Sequence, residues 1–454
     1  MSESEWQPCS GCEPHFKALQ AKLDTLQKNN VHLDQRVQEL EGYVFGRRKK
    51  SQEPPKTPGA KAGHPGWFRS TPKIVHRTEE VSLTACPRCG SSDLSRCAEI
   101  EEHTQQDIVL PEPQVTLYRK HVYWCKSCGR KVRGRGKDEL PGSPIGPVTK
   151  SIANFLRYSV KVTQRDIAGV FKGLFGMKVS QAAVQGFHTQ TRVLAQPLHD
   201  QLKKAIRTEP VVHADETGAP VNGDNDYCWL VASPRMALYD IHASRGGGVI
   251  QSLLGKVFDG ILSTDFYGGY NNSIQAKAKQ KCLVHLDRDF KKLLETFPVN
   301  NPVFLWAKRA RDFFQETRAF YNRYRQGQLP RTELAVHAQR FKQELLTLIL
   351  LQAEQPDIRR LSKRLLKHQN ELLTFLDYPD HVSPDNNYAE RLIRSVVIFR
   401  KLTGGFRSKS GTDNHNVLMS LQQTARLNGV DPLHVFRMIL TQPDKITLAA
   451  CLSP

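Results

Sequence analysis

At 454 residues with 39% apolar composition, the chain has enough material for roughly two to four cored domains, and no apolar run approaches the ~20 residues that span a bilayer. Its 65 Lys and Arg outnumber 45 Asp and Glu for a net charge of +20, which points to a polyanionic partner, because basic side chains displace the counterions of phosphates. The opening Met1-Ser2-Glu3-Ser4-Glu5 lacks the basic and apolar regions of a secretion signal, so a cytoplasmic location with reduced cysteines is expected and a disulfide framework is not.

Residues 16–44 hold a heptad. Leu19, Leu26, Leu33 and Leu40 occupy d, and Phe16, Leu23, Asn30, Val37 and Val44 occupy a. A leucine seam with a single Asn at a predicts a parallel, in-register coiled coil that pairs two copies of the chain over residues 1–45. From Gly46 the pattern breaks into Arg47-Arg48-Lys49-Lys50 and a Pro- and Gly-rich stretch, read as a basic linker over 46–80.

Residues 81–140 contain Cys86-Pro-Arg-Cys89-Gly90 and Cys125-Lys-Ser-Cys128-Gly129. Two C-x-x-C-G turns can present four thiolates to one structural zinc, each glycine relieving the turn after its second cysteine. Alternation around Val115, Leu117, Tyr118, Val122 and Tyr123 predicts strands between them, hence a zinc ribbon. Arg119, Lys120, Lys126, Arg130, Lys131, Arg133 and Arg135 suit it to DNA. Cys9 and Cys12 form a third C-x-x-C pair, which with His15 nearby could share a metal across the dimer.

Residues 145–205 read as helical. Thr163 suits the cap of one helix and Ser180 the cap of the next, with a turn through Leu174-Phe-Gly176 between them. That order matches a helix-turn-helix whose second helix offers Gln181 and Gln185 to a major groove.

From Glu209 the character changes. Pro210–Asp215 is an apolar run ending in a carboxylate; Asp226–Ala232 and Met236–His242 read as two more strands, Gly248–Leu254 as a helix, and Gly260–Asp265 as a fourth strand ending in Asp. A third acid, Glu390, follows Ser383-Pro384, where Ser383 is read as the cap and Pro384 as the first residue of a helix. Cleaving a phosphodiester at neutral pH requires an activated water and a stabilised leaving oxygen, which two divalent ions in an oxygen cage supply. Asp215, Asp265 and Glu390 are the candidate cage, with magnesium or manganese the expected ions. Glu216 points away from Asp215 if the strand persists, and is the weaker ligand. Cys282 and His285 have the spacing of a metal pair on a helix, although local packing is the expected role.

His213-Ala-Asp215-Glu-Thr-Gly, Ser263-Thr-Asp265-Phe-Tyr-Gly-Gly-Tyr, Cys282-Leu-Val-His285-Leu-Asp-Arg288-Asp, Asn387-Tyr-Ala-Glu390-Arg-Leu-Ile-Arg394 and Arg400-Lys401-Leu-Thr-Gly-Gly-Phe-Arg407 together resemble the insertion-sequence-66 family of bacterial transposases. The likeness extends over nearly the whole chain. It implies an RNase H-like fold and a DDE triad formed by Asp215, Asp265 and Glu390. The expectation is therefore a multidomain α+β protein: coiled coil, zinc ribbon, helix-turn-helix, an RNase H-like α/β catalytic domain over 206–398 with a helical insertion at 298–376, and a C-terminal helical segment over 399–454. Such a protein would cleave DNA and transfer strands at transposon ends, as a homodimer, with any accessory proteins, and with Arg394, Arg400, Lys401 and Arg407 gripping phosphates. The alternatives are an inactive DNA-binding derivative and a metal-dependent nuclease that does not integrate.

Overall fold

The computed structural model describes residues 17, 20–27 and 30, and residues 72–453 apart from 99, 110, 141 and 351–354. Residues 17, 20–27 and 30 are helical. The rest of the predicted coil, Cys9 and Cys12, and the linker as far as residue 71 lie outside the described residues. The chain divides into two compact units, 1–108 and 109–454.

In the first unit, Cys86 to Ser91 form a tight turn: the Cys86 N–H donates to the Ser91 carbonyl and the Gly90 N–H donates to the Cys86 carbonyl, both at 2.8 Å. The second unit opens with a hairpin of β1 (Val122–Cys125) and β2 (Arg130–Arg133). The strand expected around Val115 to Tyr118 does not form, and Val115 and Leu117 stand 94% and 77% exposed. Alternation was a false signal there, since no described residue covers Val115 or Leu117.

Both helix caps behave as their residues require. The Thr163 side chain accepts the Asp166 N–H at the start of α2 (Gln164–Phe175), and Ser180 accepts the Ala183 N–H at the start of α3 (Gln181–Ala205). Gly176 closes α2 at φ 62°, a left-handed conformation suited to glycine. Ahead of them, α1 (Pro147–Asn154) runs into a π-helical turn, Phe155–Val160. Ala153, Ile167, Phe171, Val184 and Phe187 form a small core for this helical region.

The central sheet has five strands: β3 (Val211–Gly218), β4 (Tyr227–Ala232), β5 (Ala237–His242), β6 (Val257–Thr264) and β7 (Gln275–Lys281), in the order β5-β4-β3-β6-β7. The first three form an antiparallel meander, while β6 is parallel to β3 and β7 parallel to β6. The helix α4 (Gly248–Leu254) makes the crossover between β5 and β6. The fifth strand was invisible as an apolar pattern, because Gln275-Ala-Lys-Ala-Lys-Gln-Lys281 is polar; lysines are suited to a sheet edge.

After β7 come α5 (Leu283–Thr296) and the predicted helical insertion, made of α6 (Pro302–Arg325), α7 (Arg331–Leu350), α8 (Pro356–Lys367) and the short α9 (Thr374–Asp377). Phe313, Phe320 and Phe341 pack edge-on in an apolar core that the insertion shares with α5 and with Val211 and Ile261 of the sheet. Then come α10 (Asn387–Thr403), α11 (Lys409–Leu427), α12 (Pro432–Thr441) and α13 (Ala449–Leu452). The boundary expected at 398/399 falls inside α10, and Leu418, Leu421, Phe436 and Ile439 share one core with strands β4 and β5. The C-terminal helices are part of the sheet domain.

The reason lies at the sheet edge. Outward N–H groups of β5 need partners, and α11 supplies them at helical spacing: Asn416 Oδ1 accepts from Ile241, Ser420 Oγ from Tyr239 and Thr424 Oγ1 from Ala237, at 2.9–3.1 Å. Three polar side chains on a buried helix face seal an edge strand. Ser420→Ala should cost about 1–3 kcal/mol in urea unfolding by orphaning the buried Tyr239 N–H. An unchanged midpoint would remove this ladder as a source of stability.

Candidate active site

The parallel register of β3 and β6 sets His213 opposite Ser263. Two residues further along each strand direction stand Asp215 and Asp265, so the two acids lie level on neighbouring strands. Asp265 comes directly after β6, and Asp215 lies within β3, which runs three residues past the end its sequence suggested because Glu216 to Gly218 stay paired with β4. Each carboxylate accepts one local N–H: Asp215 Oδ1 from Glu216 and Asp265 Oδ1 from Tyr267, both at 2.9 Å.

Glu390 lies in the first turn of α10. The helix starts later than its sequence suggested. Ser383 and Pro384 precede it in a turn, Asn386 stands at the cap position, and Asp385 Oδ1 accepts the Asn387 N–H at 3.1 Å. Asn386 gives no side-chain cap because its amide is used across the site. Its Nδ2 donates to the Ala214 carbonyl at 2.8 Å, which leaves Oδ1 to accept from His213 Nδ1 at 3.1 Å. His213 is buried, and burial lowers its pKa, so it serves as a neutral donor. Tyr388 adds a second tie, its hydroxyl donating to the Ser233 carbonyl at 2.8 Å. These bonds fix the start of α10 to β3 and to the β4–β5 turn.

Among the described residues the three carboxylates do not bring one oxygen each within 4.8 Å of one another, yet Asp215 feels the field of the other acids. The Asp215 carboxyl is pushed up to about 7 from an ordinary 3.8, first by burial, then by repulsion from Glu216, Asp265 and Glu390. Glu216 faces the other way, as its strand position implied: its carboxylate accepts from Tyr270 and pairs with Arg245 at 2.8 Å. Glu390 Oε1 is buried without a hydrogen-bond partner, and Oε2 lies 3.8 Å from Arg288. A buried, unpartnered carboxylate oxygen on Glu390 beside a carboxyl raised by burial and like charge suits a divalent cation.

Lys281 was not foreseen. This fully buried lysine at the end of β7 donates from Nζ to Thr264 Oγ1 and to the Asp265 carbonyl, both at 3.0 Å, and burial lowers its pKa to about 8. It braces the loop that holds Asp265. A lysine in a polar strand gives no sequence signal of burial.

The other predicted residues separate. Arg400 donates to the Gly218 carbonyl and sits 3.5 Å from Thr217 Oγ1, so its guanidinium is engaged at the end of β3. Arg394, Lys401 and Arg407 are exposed. Gln181 and Gln185 line a cleft with Arg157, Arg165 and Arg407, and Gln185 accepts from the Gln164 amide. Cys282 and His285 come together with Glu390: one donor atom from each lies within 4.8 Å of the other two.

Each cysteine turn has the electronic character of a metal knuckle. Backbone N–H groups of Arg88 and Cys89 lower the Cys86 thiol's pKa. In the second unit, the backbone and side chain of Cys128 and the backbone of Ser127 lower that of Cys125. Gly90 and Gly129 both adopt positive φ, 76° and 63°, as tight C-x-x-C-G turns require.

Among the described residues no helix is long and apolar enough to cross a membrane. A family model described as Transposase IS66 family matches residues 143–414, and one for the zinc-finger binding domain of transposase IS66 matches residues 84–129. The chain is similar to three proteins of Sinorhizobium fredii. Uncharacterized protein y4jD is 25% identical over 297 residues, covering 58% of this chain and 56% of that protein. Uncharacterized protein y4qI is 26% identical over 307 residues, 59% of this chain and 54% of its own length. Uncharacterized protein y4hP is 22% identical over 394 residues, 77% and 68% respectively. The chain thus spans about half the length of the first two relatives.

Proposed function

The chain belongs to the IS66 transposase family, and from that premise we propose that it cleaves DNA at transposon ends and joins the freed strand to target DNA, with Asp215, Asp265 and Glu390 as a DDE triad on an RNase H-like core. The observation that supports this most is the raised Asp215 carboxyl, pushed up to about 7 by burial first, then by its neighbour Glu216, and then by Asp265 and Glu390 from two other elements. The strand order β5-β4-β3-β6-β7, with an antiparallel meander followed by parallel strands, one acid within β3 and another directly after β6, favours the RNase H-like reading.

Magnesium or manganese, two ions held by the three carboxylates, would supply an activated attacking oxygen and charge neutralisation at the leaving oxygen. The chain's own residues do the rest. His213 and Asn386 hold the turn that presents Glu390, Lys281 holds the Asp265 loop, and Glu216, tied to Arg245 and Tyr270, stays outside the cage. Water attacks the phosphodiester at the element's end and leaves a 3′-hydroxyl; that hydroxyl then attacks a target phosphodiester, one bond forming as one breaks in each step. No covalent protein intermediate is involved.

Around this core we read a zinc ribbon bound through Cys86, Cys89, Cys125 and Cys128, a DNA-facing helix-turn-helix with Gln181 and Gln185, and a dimerising N-terminal coil. Exposed Arg394, Lys401 and Arg407 are the phosphate contacts, and the cytoplasm, at the nucleoid, is the place of action. Arg400 is better read as a strut between α10 and β3.

Purified full-length protein mixed with DNA carrying the element's own ends should nick it in magnesium and then yield a 3′ end joined to new DNA. Both products should vanish with chelator and return with magnesium or manganese. Nicking without joining would favour a nuclease, and binding without nicking an inactive derivative.

A further inference from the structure

The Cys282-His285 pair is left over by this mechanism. Cys282 lies at the junction of β7 and α5, with His285 one helical turn on, so both side chains reach the same space. The turn before α10 is bonded to this junction: the Leu283 N–H donates to the Pro384 carbonyl at 2.9 Å, and the Asn386 N–H donates to Cys282 Sγ at 3.2 Å. Glu390 is thereby brought beside the pair. One donor atom from each of the three side chains lies within 4.8 Å of the other two, the one such metal-competent group among the described residues.

Two of these side chains have unmet needs. His285 Nδ1 and Glu390 Oε1 are both buried without a hydrogen-bond partner, and Arg288 reaches only the other Glu390 oxygen, at 3.8 Å. A buried imidazole nitrogen and a buried carboxylate oxygen left unpaired are costly. Bonds of about 2.0–2.3 Å to a tetrahedral zinc set its donors roughly 3–4 Å apart, so closure by a fraction of an ångström to about an ångström suffices.

We infer that Cys282, His285 and Glu390 form a site for a thiophilic divalent cation of the zinc type, separate from the four-cysteine module, which withdraws Glu390 from the acid cage when filled. A thiol and an imidazole select zinc or cobalt over magnesium, while a cage of carboxylates selects magnesium. Glu390 is the ligand common to both. Binding itself rests only on the three side chains; the inhibitory consequence rests on reading Glu390 as a catalytic acid. Filling the site transfers the Cys282 thiol proton to solvent as the sulfur bonds the cation.

The test uses full-length protein purified with its structural zinc in place, titrated with cobalt(II) and, separately, zinc in the absence of DNA. Wild type should take up one cobalt ion beyond that zinc and show a near-ultraviolet thiolate-to-cobalt charge-transfer band. Cys282→Ser should lose the band and the extra ion while keeping the zinc, and His285→Gln should weaken uptake by roughly tenfold or more. In magnesium-supported cleavage, added zinc should inhibit wild type at a concentration roughly tenfold or more below that needed for Cys282→Ser. Equal cobalt uptake and an equal band in wild type and both variants would overturn the site, whether or not the protein cuts DNA. Cobalt uptake that depends on Cys282 together with equal zinc inhibition of wild type and variant would overturn the inhibitory link alone.

Discussion

Asp215→Asn is expected to lower DNA cleavage by about a thousandfold or more while leaving DNA binding intact, and to make the metal-free protein more resistant to heat at pH 8. The catalytic half follows from the cost of losing a cation ligand, several kcal/mol of transition-state stabilisation at about 1.4 kcal/mol per factor of ten. The stability half follows from the raised carboxyl, about 7 in the fold against an ordinary 3.8. A raised acid binds its proton more tightly when folded, so its relative stabilisation is present in acid and is lost as pH rises from about 4 through 7. Above that, metal-free wild type holds an anion among Glu216, Asp265 and Glu390 at a cost on the order of 2–4 kcal/mol. Asparagine removes the charge, and magnesium neutralises it. Melting curves at pH 5.5 and pH 8, with and without magnesium, should show wild type losing several degrees at pH 8 and regaining them with the ion, while Asp215→Asn does neither. Parallel pH profiles for the two proteins would show that the acids do not share a field, and undiminished cutting by the variant would take Asp215 out of the chemistry.

The sequence made the first two acids legible because each closes an apolar run, and burial of such runs in a sheet is a local pattern. The same logic found Thr163 and Ser180, whose caps involve residues only three positions away. It failed where a side chain's partner lies far along the chain. Ser383 looked like a helix cap, but tertiary bonds from Asn386 to Ala214 and His213 delay the helix to Asn387. Asn416, Ser420 and Thr424, polar residues at helical spacing, carry no sequence signal of burial, yet they are buried against the N–H groups of β5. Lys281 sits in a strand whose composition suggests exposure, and is wholly enclosed. Polar residues with distant partners are the part of this site that periodicity does not reveal.

Asn386→Ala follows from that failure and should strike stability and catalysis together. The side chain is 1% exposed and uses both ends: Nδ2 on the Ala214 carbonyl, one residue before Asp215, and Oδ1 on His213. Alanine strands a buried carbonyl and a buried imidazole N–H, each at about 1–3 kcal/mol. Asp should not restore function, because its carboxylate still accepts from His213 but offers no donor to Ala214. The Asn386 carbonyl also accepts the Glu390 N–H at 3.2 Å, so slack at 386 passes directly to the acid. A displacement near 1 Å can cost about a hundredfold in rate. A merely structural role would lower the melting temperature alone. A positioning role requires more: at a temperature where the variant remains folded, cleavage should fall by about a hundredfold, and half-maximal magnesium should move roughly tenfold upward, since a misplaced Glu390 is a poorer ligand. An unchanged magnesium dependence in folded Asn386→Ala would confine this residue to stability and leave the placement of Glu390 to Tyr388 and the packing of α10.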